Sequence, residues 1–167
     1  MKRFWIINLV LFQASWVAAA FYTSYAAMVI GLLVAIHIYL SPSRISDVKL
    51  LILVIPGILA DTLHIQAGTF YAGNSLFPLW LILLWCMFIM SLNHSLKWLA
   101  NKKLYWAALF GGVGGTSSYL GGVKTGALST IMPLETTAFI LACSWAVLFP
   151  LLILGYRYIQ ENTRELA

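Results

Sequence analysis

The sequence contains six apolar stretches, each long enough to cross a lipid bilayer as a helix. A membrane-spanning helix needs about 20 predominantly apolar residues, or about 17 at the short end. The stretches cover residues 4–22, 24–40, 48–66, 76–93, 104–123 and 133–157. The chain is 62% hydrophobic and 9% charged, and a water-soluble domain of this size could not bury so much apolar surface. We therefore predict an all-α, polytopic membrane bundle of six transmembrane helices, with residues 1–167 forming a single integral membrane domain.

Basic residues are distributed very unequally between the loops. Cytoplasmic loops of membrane proteins are enriched in lysine and arginine, so this distribution places both termini in the cytoplasm. An even number of spans agrees with that placement. Because topology accounts for the net charge of +5, we expect the lipid bilayer and no nucleic acid as a partner. Lys124 is the single basic residue on the other side, against Lys2, Arg3, Arg44, Lys49, Lys97, Lys102, Lys103, Arg157 and Arg164.

The N-terminus allows a second interpretation. A basic pair, an apolar run and three alanines at 18–20 resemble a cleavable signal peptide. However, Asn8, Gln13 and Trp16 interrupt the run, and cleavage would leave five spans with a disturbed charge pattern. We therefore expect the first stretch to be retained as a span.

Asp61 and His64 are two ionisable residues at lipid depth in the third stretch, just after Pro56 and Gly57. Residues three apart share a helix face, and such groups are costly in lipid, so they often mark a functional site. They are candidate catalytic residues, as an acid/base pair in which Asp61 orients the imidazole for proton transfer or ligand binding. Two structural alternatives remain. The residues could form a satisfied polar pair that fixes packing, or the helix could end near Ala60 and expose both to water.

Other polar and aromatic residues are expected at the same outer level. Together they predict a pocket that opens to the external face, with tryptophans as its walls and Lys124 and Glu135 at its rim. The alternative is an interfacial aromatic belt with hydrated loops, as in any membrane protein. The candidate ligand-binding residues are Gln13, Trp16, Asp61, His64, Trp80, Trp85, Tyr119, Lys124 and Glu135.

The fifth stretch is dense in glycine. Gly111, Gly115, Ser118 and Gly122 form one stripe of small residues, which is typical of closely packed membrane helices. A broken helix that lines a cavity is the alternative. The GxxxxGK[ST] spacing of a phosphate-binding loop is absent.

Neither a cofactor nor a metal is expected. A metal held by Asp61, His64 and Glu135 is conceivable, but no HExxH motif or histidine-rich helix supports it. His37 and His94 are predicted near the cytoplasmic ends of their spans, far in depth from His64. Signatures of serine or cysteine nucleophiles are also absent.

The whole chain resembles a bacterial inner-membrane family known only as a domain of unknown function (2878). The resemblance rests on the order and spacing of residues across six spans: Asn8, Phe12-Gln13, Trp16, Asp61, Pro78-Leu79-Trp80, Trp85 and the run from Gly111 to Gly126. It implies a multi-pass protein of the bacterial inner (cytoplasmic) membrane. Genes of this family often lie near those of cyclopropane-fatty-acid-synthase-like methyltransferases, which implies a role near membrane-lipid chemistry.

A weaker similarity is to the substrate-binding subunits of energy-coupling-factor vitamin transporters. These are also small six-helix bundles with external pockets, and they dock partner membrane proteins through small-residue faces like that of Ala14, Ala18, Ala19 and Ala20. The leading hypothesis is that the protein binds or handles a lipid-like or amphipathic small molecule in an outer-leaflet pocket. The alternatives are a vitamin-transporter subunit, a lipid-modifying membrane enzyme that uses Asp61 and His64, and a scaffold without a pocket.

Overall fold

The described chain consists of eight α-helices joined by short loops. A computed structural model describes residues 3–73 and 77–165, with side chains up to Asn162. A 3-10 turn, Leu51–Leu53, joins α3 to α4, and an isolated antiparallel bridge links Tyr71 to Ser129. The helices are α1 (Phe4–Phe21), α2 (Thr23–Leu40), α3 (Arg44–Leu50), α4 (Val54–Gln66), α5 (Leu79–Ser91), α6 (Lys97–Ala100), α7 (Leu104–Thr125) and α8 (Leu134–Glu165).

Within the described residues, four helical segments are long and apolar enough to cross a membrane. They are Phe4–Phe21, Thr23–Leu40, Arg44–Gln66 and Leu134–Asn162. Helix α7 has 22 residues and is about 33 Å long, enough for a hydrocarbon core of about 30 Å, but its glycines make it less apolar. This all-helical, apolar architecture is that of a membrane helical bundle.

The third and fourth predicted spans differ from the structure in their bounds. The third begins at Arg44 rather than at 48, and its 3-10 turn lies just before Pro56, which cannot donate a hydrogen bond to the carbonyl of Ile52. The fourth was predicted over 76–93, of which 76 lies outside the described residues. Its helix, α5, has only 13 residues, because extended Pro78 precedes it and the chain turns after Ser91.

Helix α5 lies at the centre of the bundle. It contacts α1, α2, α3 and α4, and most of its side chains are buried. Helices α7 and α8 form a tightly packed antiparallel hairpin, and α7 also touches α1. A space therefore remains between α1 and α5 on one side and the α7–α8 hairpin on the other.

Two members of the small-residue stripe of α7, Gly111 and Gly115, face α8. A Cβ atom at Gly111 would lie 2.7 Å from the carbonyl oxygen of Trp145, so the two backbones approach closely there. A Cβ atom at Gly115 would lie 2.2–2.6 Å from the indole of Trp145. The stripe therefore permits close helix packing at Gly111 and makes room for an aromatic ring at Gly115.

This geometry predicts opposite effects of alanine at two adjacent glycines. Gly115→Ala should lower the free energy of unfolding by about 1–3 kcal/mol, because the methyl group overlaps the Trp145 ring. A Cβ atom at Gly114 would have no atom within 4 Å, and alanine favours a helix by about 1 kcal/mol over glycine. Gly114→Ala should therefore raise the free energy of unfolding by up to about 1 kcal/mol. Thermal unfolding in detergent micelles measures both. Equal midpoints for the two variants would contradict the predicted packing of Trp145.

Candidate functional site

A cavity of about 530 Å³ occupies the space between α1, α5 and the α7–α8 hairpin. Four glycines of α7 line it: Gly111, Gly114, Gly115 and Gly122. Gly114 is the one of these four with no atom within 4 Å of its Cβ position, so the missing side chain leaves open space there. Its aromatic lining comprises Phe12, Trp16, Trp80, Trp85, Phe88, Trp98, Phe110, Tyr119, Trp145 and Phe149.

The cavity opens sideways, between α1 and α7. Gln13 on α1 and Phe110, Gly114 and Ser117 on α7 all line it and are all exposed. We call this cavity the α1–α7 groove. Along α7 it extends from Phe110 to Gly122, about 18 Å at the helical rise, so it is an elongated space beside the surrounding bilayer.

The α1–α7 groove contains polar groups but no charged ones. Among the described residues that line it, none is an acid, a lysine, an arginine or a histidine. Trp16 donates its indole N–H to Ser118 Oγ at 2.8 Å, which ties α1 to α7 across the groove. Ser117 donates to the carbonyl of Val113 within α7 at 2.7 Å, and the Gln13 amide also lines the groove. The groove therefore suits an occupant that is mainly apolar.

Asp61 holds two aromatic walls of the groove in place. Its carboxyl group accepts hydrogen bonds from Trp85 Nε1 at 2.7 Å and from Tyr119 Oη at 2.6 Å, and only 2% of the residue is exposed. Trp85 in turn stacks on Trp145, with ring centroids 5.4 Å apart and planes 7° apart. Asp61 thus joins α4, α5 and α7 and orients side chains that line the groove, while it lies behind that lining itself.

Gly57 explains why Trp85 can reach Asp61. It lies one helical turn before Asp61 on α4, and a Cβ atom there would be 2.5 Å from the Trp85 ring. The indole therefore lies flat against bare backbone, and its N–H meets the carboxyl group of Asp61. Gly57 thus leaves room for the ring of Trp85, and Asp61, one turn later on the same face, accepts its N–H.

His64 does not form the predicted dyad with Asp61. Within the described structure, the hydrogen-bond partners of Asp61 are Trp85 and Tyr119. The His64 ring lies 5.9 Å from the ring of Phe70, which is fully buried and also packs 5.0 Å from Tyr119. Since α4 continues to Gln66 and Asp61 is buried, the interpretation that the helix ends near Ala60 and exposes both residues is wrong.

The predicted ligand-binding residues fall into two sets. Gln13, Trp16, Trp80, Trp85 and Tyr119 all line the α1–α7 groove. The ionisable candidates do not line it: Asp61 lies behind the wall, His64 packs against Phe70, and Lys124 and Glu135 are exposed near the ends of α7 and α8.

A second polar cluster lies at the end of the bundle away from Asp61, and the sequence analysis did not predict it. We call it the basic-end cluster; it consists of His37, Asp47 and His94. His37 Nε2 lies 3.3 Å from Asp47 Oδ2, and His94 Nε2 lies 2.9 Å from Asp47 Oδ1. Ser41 and Asn93 also donate to Asp47, which is fully buried. The predicted topology places all three residues at similar depth, which is the signal that could have found them.

The ligand atoms of the basic-end cluster lie within 4.8 Å of one another, close enough to hold a metal ion. The surroundings of His37 favour hydrogen bonding instead. Asn8 Oδ1 accepts the backbone N–H of Ser95 at 3.1 Å, so its amide nitrogen must face His37 Nδ1, 3.4 Å away. His37 then accepts at Nδ1 and carries its proton on Nε2, directed at Asp47, whereas a metal-ligating histidine normally donates through its second nitrogen. The cluster is therefore arranged as donors around a carboxylate.

Substitution of Asp61 tests its positioning role. Asparagine can accept from Trp85 through its oxygen, but its nitrogen cannot accept the proton of Tyr119 Oη, so Asp61→Asn leaves one buried donor unpaired and should cost about 1–3 kcal/mol. Asp61→Leu leaves two buried donors unpaired and should cost about 1–3 kcal/mol for each. Thermal unfolding and near-ultraviolet circular dichroism of the tryptophans measure both effects. Equal losses in the two variants would contradict separate hydrogen bonds from Trp85 and Tyr119 to the two carboxyl oxygens.

Comparison with known proteins identifies the family of the chain. No curated protein and no solved structure matches it. Residues 5–151 match the family described as "Protein of unknown function (DUF2878)". This range includes all of the described residues that line the α1–α7 groove. The family resemblance predicted from the sequence is confirmed, and the chain belongs to the DUF2878 family.

Proposed function

We propose that the protein spans the bacterial inner membrane six times and binds a lipid-like or amphipathic small molecule in the α1–α7 groove. The volume of about 530 Å³ supports this, because it falls within the range of about 300–1,000 Å³ typical of small-molecule sites. The basic loop residues support a cytoplasmic position for both termini.

The shape and lining of the groove carry the proposal. An elongated, aromatic-walled space that opens sideways toward lipid can receive an acyl or polyprenyl chain directly from the bilayer. Such a chain replaces contacts with lipid by closer contacts with rigid rings, and packing of this kind drives association within membranes. Asp61 supports binding by holding Trp85 and Tyr119 in one arrangement before the ligand arrives.

The same lining favours binding over acid/base catalysis. A general acid or base must lie within hydrogen-bonding reach of its substrate. Asp61 and His64 do not line the groove, and Tyr119 already donates to Asp61. The uncharged lining also favours a lipid over the charged groups carried by many water-soluble vitamins.

The proposed topology can be read by cysteine accessibility. In a chain with Cys86 and Cys143 replaced by alanine, a cysteine at exposed Ile131 should react with an impermeant maleimide on intact cells, because the proposal places that loop outside. A cysteine at exposed Lys103 should react only after the membrane is permeabilised. The reverse pattern would refute the assigned orientation, and labelling of both positions on intact cells would refute six spans.

Filling the groove should block ligand binding. Gly114 lines the groove and has no atom within 4 Å of its Cβ position, so Gly114→Phe adds a ring at the groove, while Val113→Phe adds the same ring on the exposed face. Loss of about ten packed atom pairs, at about 0.1–0.2 kcal/mol each, lowers affinity about tenfold. Saturable quenching of tryptophan fluorescence by 9,10-dibromostearyl alcohol, measured in nanodiscs, reports binding. The proposal fails if wild-type protein shows no saturable quenching, or if Gly114→Phe binds as tightly as Val113→Phe.

A further inference from the structure

The α1–α7 groove contains hydrogen-bonding groups that the protein leaves unpaired. Within the described part of the chain, the indole N–H groups of Trp80 and Trp145 have no acceptor, and the Gln13 amide makes no hydrogen bond. All three side chains line the groove. In contrast, the indoles of Trp16 and Trp85 are paired, with Ser118 and Asp61.

Gln13 is the most informative of these groups because of its depth. It is the tenth of the 18 residues of α1, so a membrane crossed by α1 has its least polar region at this level. An amide without a partner in an apolar medium costs several kcal/mol, and membrane proteins normally pair such groups internally. A neutral amide facing a groove at this depth therefore indicates an occupant that can hydrogen-bond to it.

The other amide of α1 shows what this helix does when no ligand is involved. Asn8 is fully buried, accepts the N–H of Ser95 and contacts His37. One turn and a half further along the helix, Gln13 has space beside it instead of partners. Ser117 lies across the groove and uses its proton within α7, so its oxygen remains able to accept a second hydrogen bond.

The charge of the lining restricts the chemistry further. A carboxylate, phosphate or ammonium group at this level would need an opposite charge, and none of the described lining residues supplies one. An uncharged oxygen, such as that of a hydroxyl, an ester or a ketone, can pair with the Gln13 amide.

Resting on the proposed function, we infer that the occupant of the α1–α7 groove is an uncharged lipid with an oxygen-containing polar group, which pairs with Gln13 at mid-membrane depth. Gln13 is then the residue that determines specificity. The aromatic walls hold the chain, and the amide selects chains that carry an oxygen acceptor or hydroxyl group.

A series of probes with one chain and different polar groups tests this inference. The probes are 9,10-dibromooctadecane, 9,10-dibromostearyl alcohol, methyl 9,10-dibromostearate and 9,10-dibromostearic acid, titrated into nanodiscs while tryptophan quenching is followed. In wild-type protein, the alcohol and the ester should bind about three- to tenfold more tightly than the hydrocarbon, as expected for one net hydrogen bond. Gln13→Leu should remove that preference and leave binding of the hydrocarbon unchanged.

Gln66→Leu provides the matched control. Gln66 is exposed at the end of α4 and does not line the groove, so its replacement should retain the wild-type preference. Equal affinity for hydrocarbon, alcohol and ester in wild-type protein would overturn the inference but leave groove binding intact. Tightest binding of the ionised acid, unaffected by Gln13→Leu, would also overturn it. Saturable binding of no probe at all would refute the proposed function itself.

Discussion

The hydrogen bonds from Trp85 and Tyr119 to Asp61 are the interaction on which the groove depends. They connect the central helix α5 and the hairpin helix α7 to the same carboxyl group on α4. Without them, two large aromatic side chains would be free to turn into the space that they now border. The stack of Trp85 on Trp145 extends the same constraint to α8, so one buried acid sets the positions of residues on three other helices.

Absent side chains complement this arrangement. Gly57 and Gly115 each accept the face of an indole, and Gly114 lines the groove with no atom within 4 Å of its Cβ position. The helices therefore pack closely where an indole covers Gly57 or Gly115, and the groove remains open beside Gly114. The composition of α7 is explained by both needs: a bulkier helix would close the groove, and a helix without Gly111 could not pack against α8.

Helices and their apolar character follow from local patterns in the sequence, whereas pairings across the bundle do not. The stretch of apolar residues predicts α1 and α2 almost to the residue, but α5 is shorter than predicted, because Pro78 and the turn after Ser91 limit it. Depth alone placed Trp80 and Tyr119 near Asp61. Spacing within one helix suggested His64 as the partner of Asp61, yet residues 24 and 58 positions away form the bonds. Pairing across the bundle depends on the rotation of each helix about its axis, which short sequence patterns do not specify.

The basic-end cluster belongs to a set of hydrogen bonds that ties the helices together at one end of the bundle. Asp47 pairs with His37 of α2 and with His94 in the turn after α5, and Asn8 of α1 contacts His37. Gln160 of α8 donates to both Asn93 and Ser46. At the same end, Arg157 of α8 holds the carbonyl groups of Ala100 and Lys102, just before α7. At the other end, the loop after α4 and the loop after α7 meet through the backbone bridge between Tyr71 and Ser129. The α7–α8 hairpin is thus tied to the rest of the bundle at both ends, by side-chain hydrogen bonds at one end and by a backbone bridge at the other.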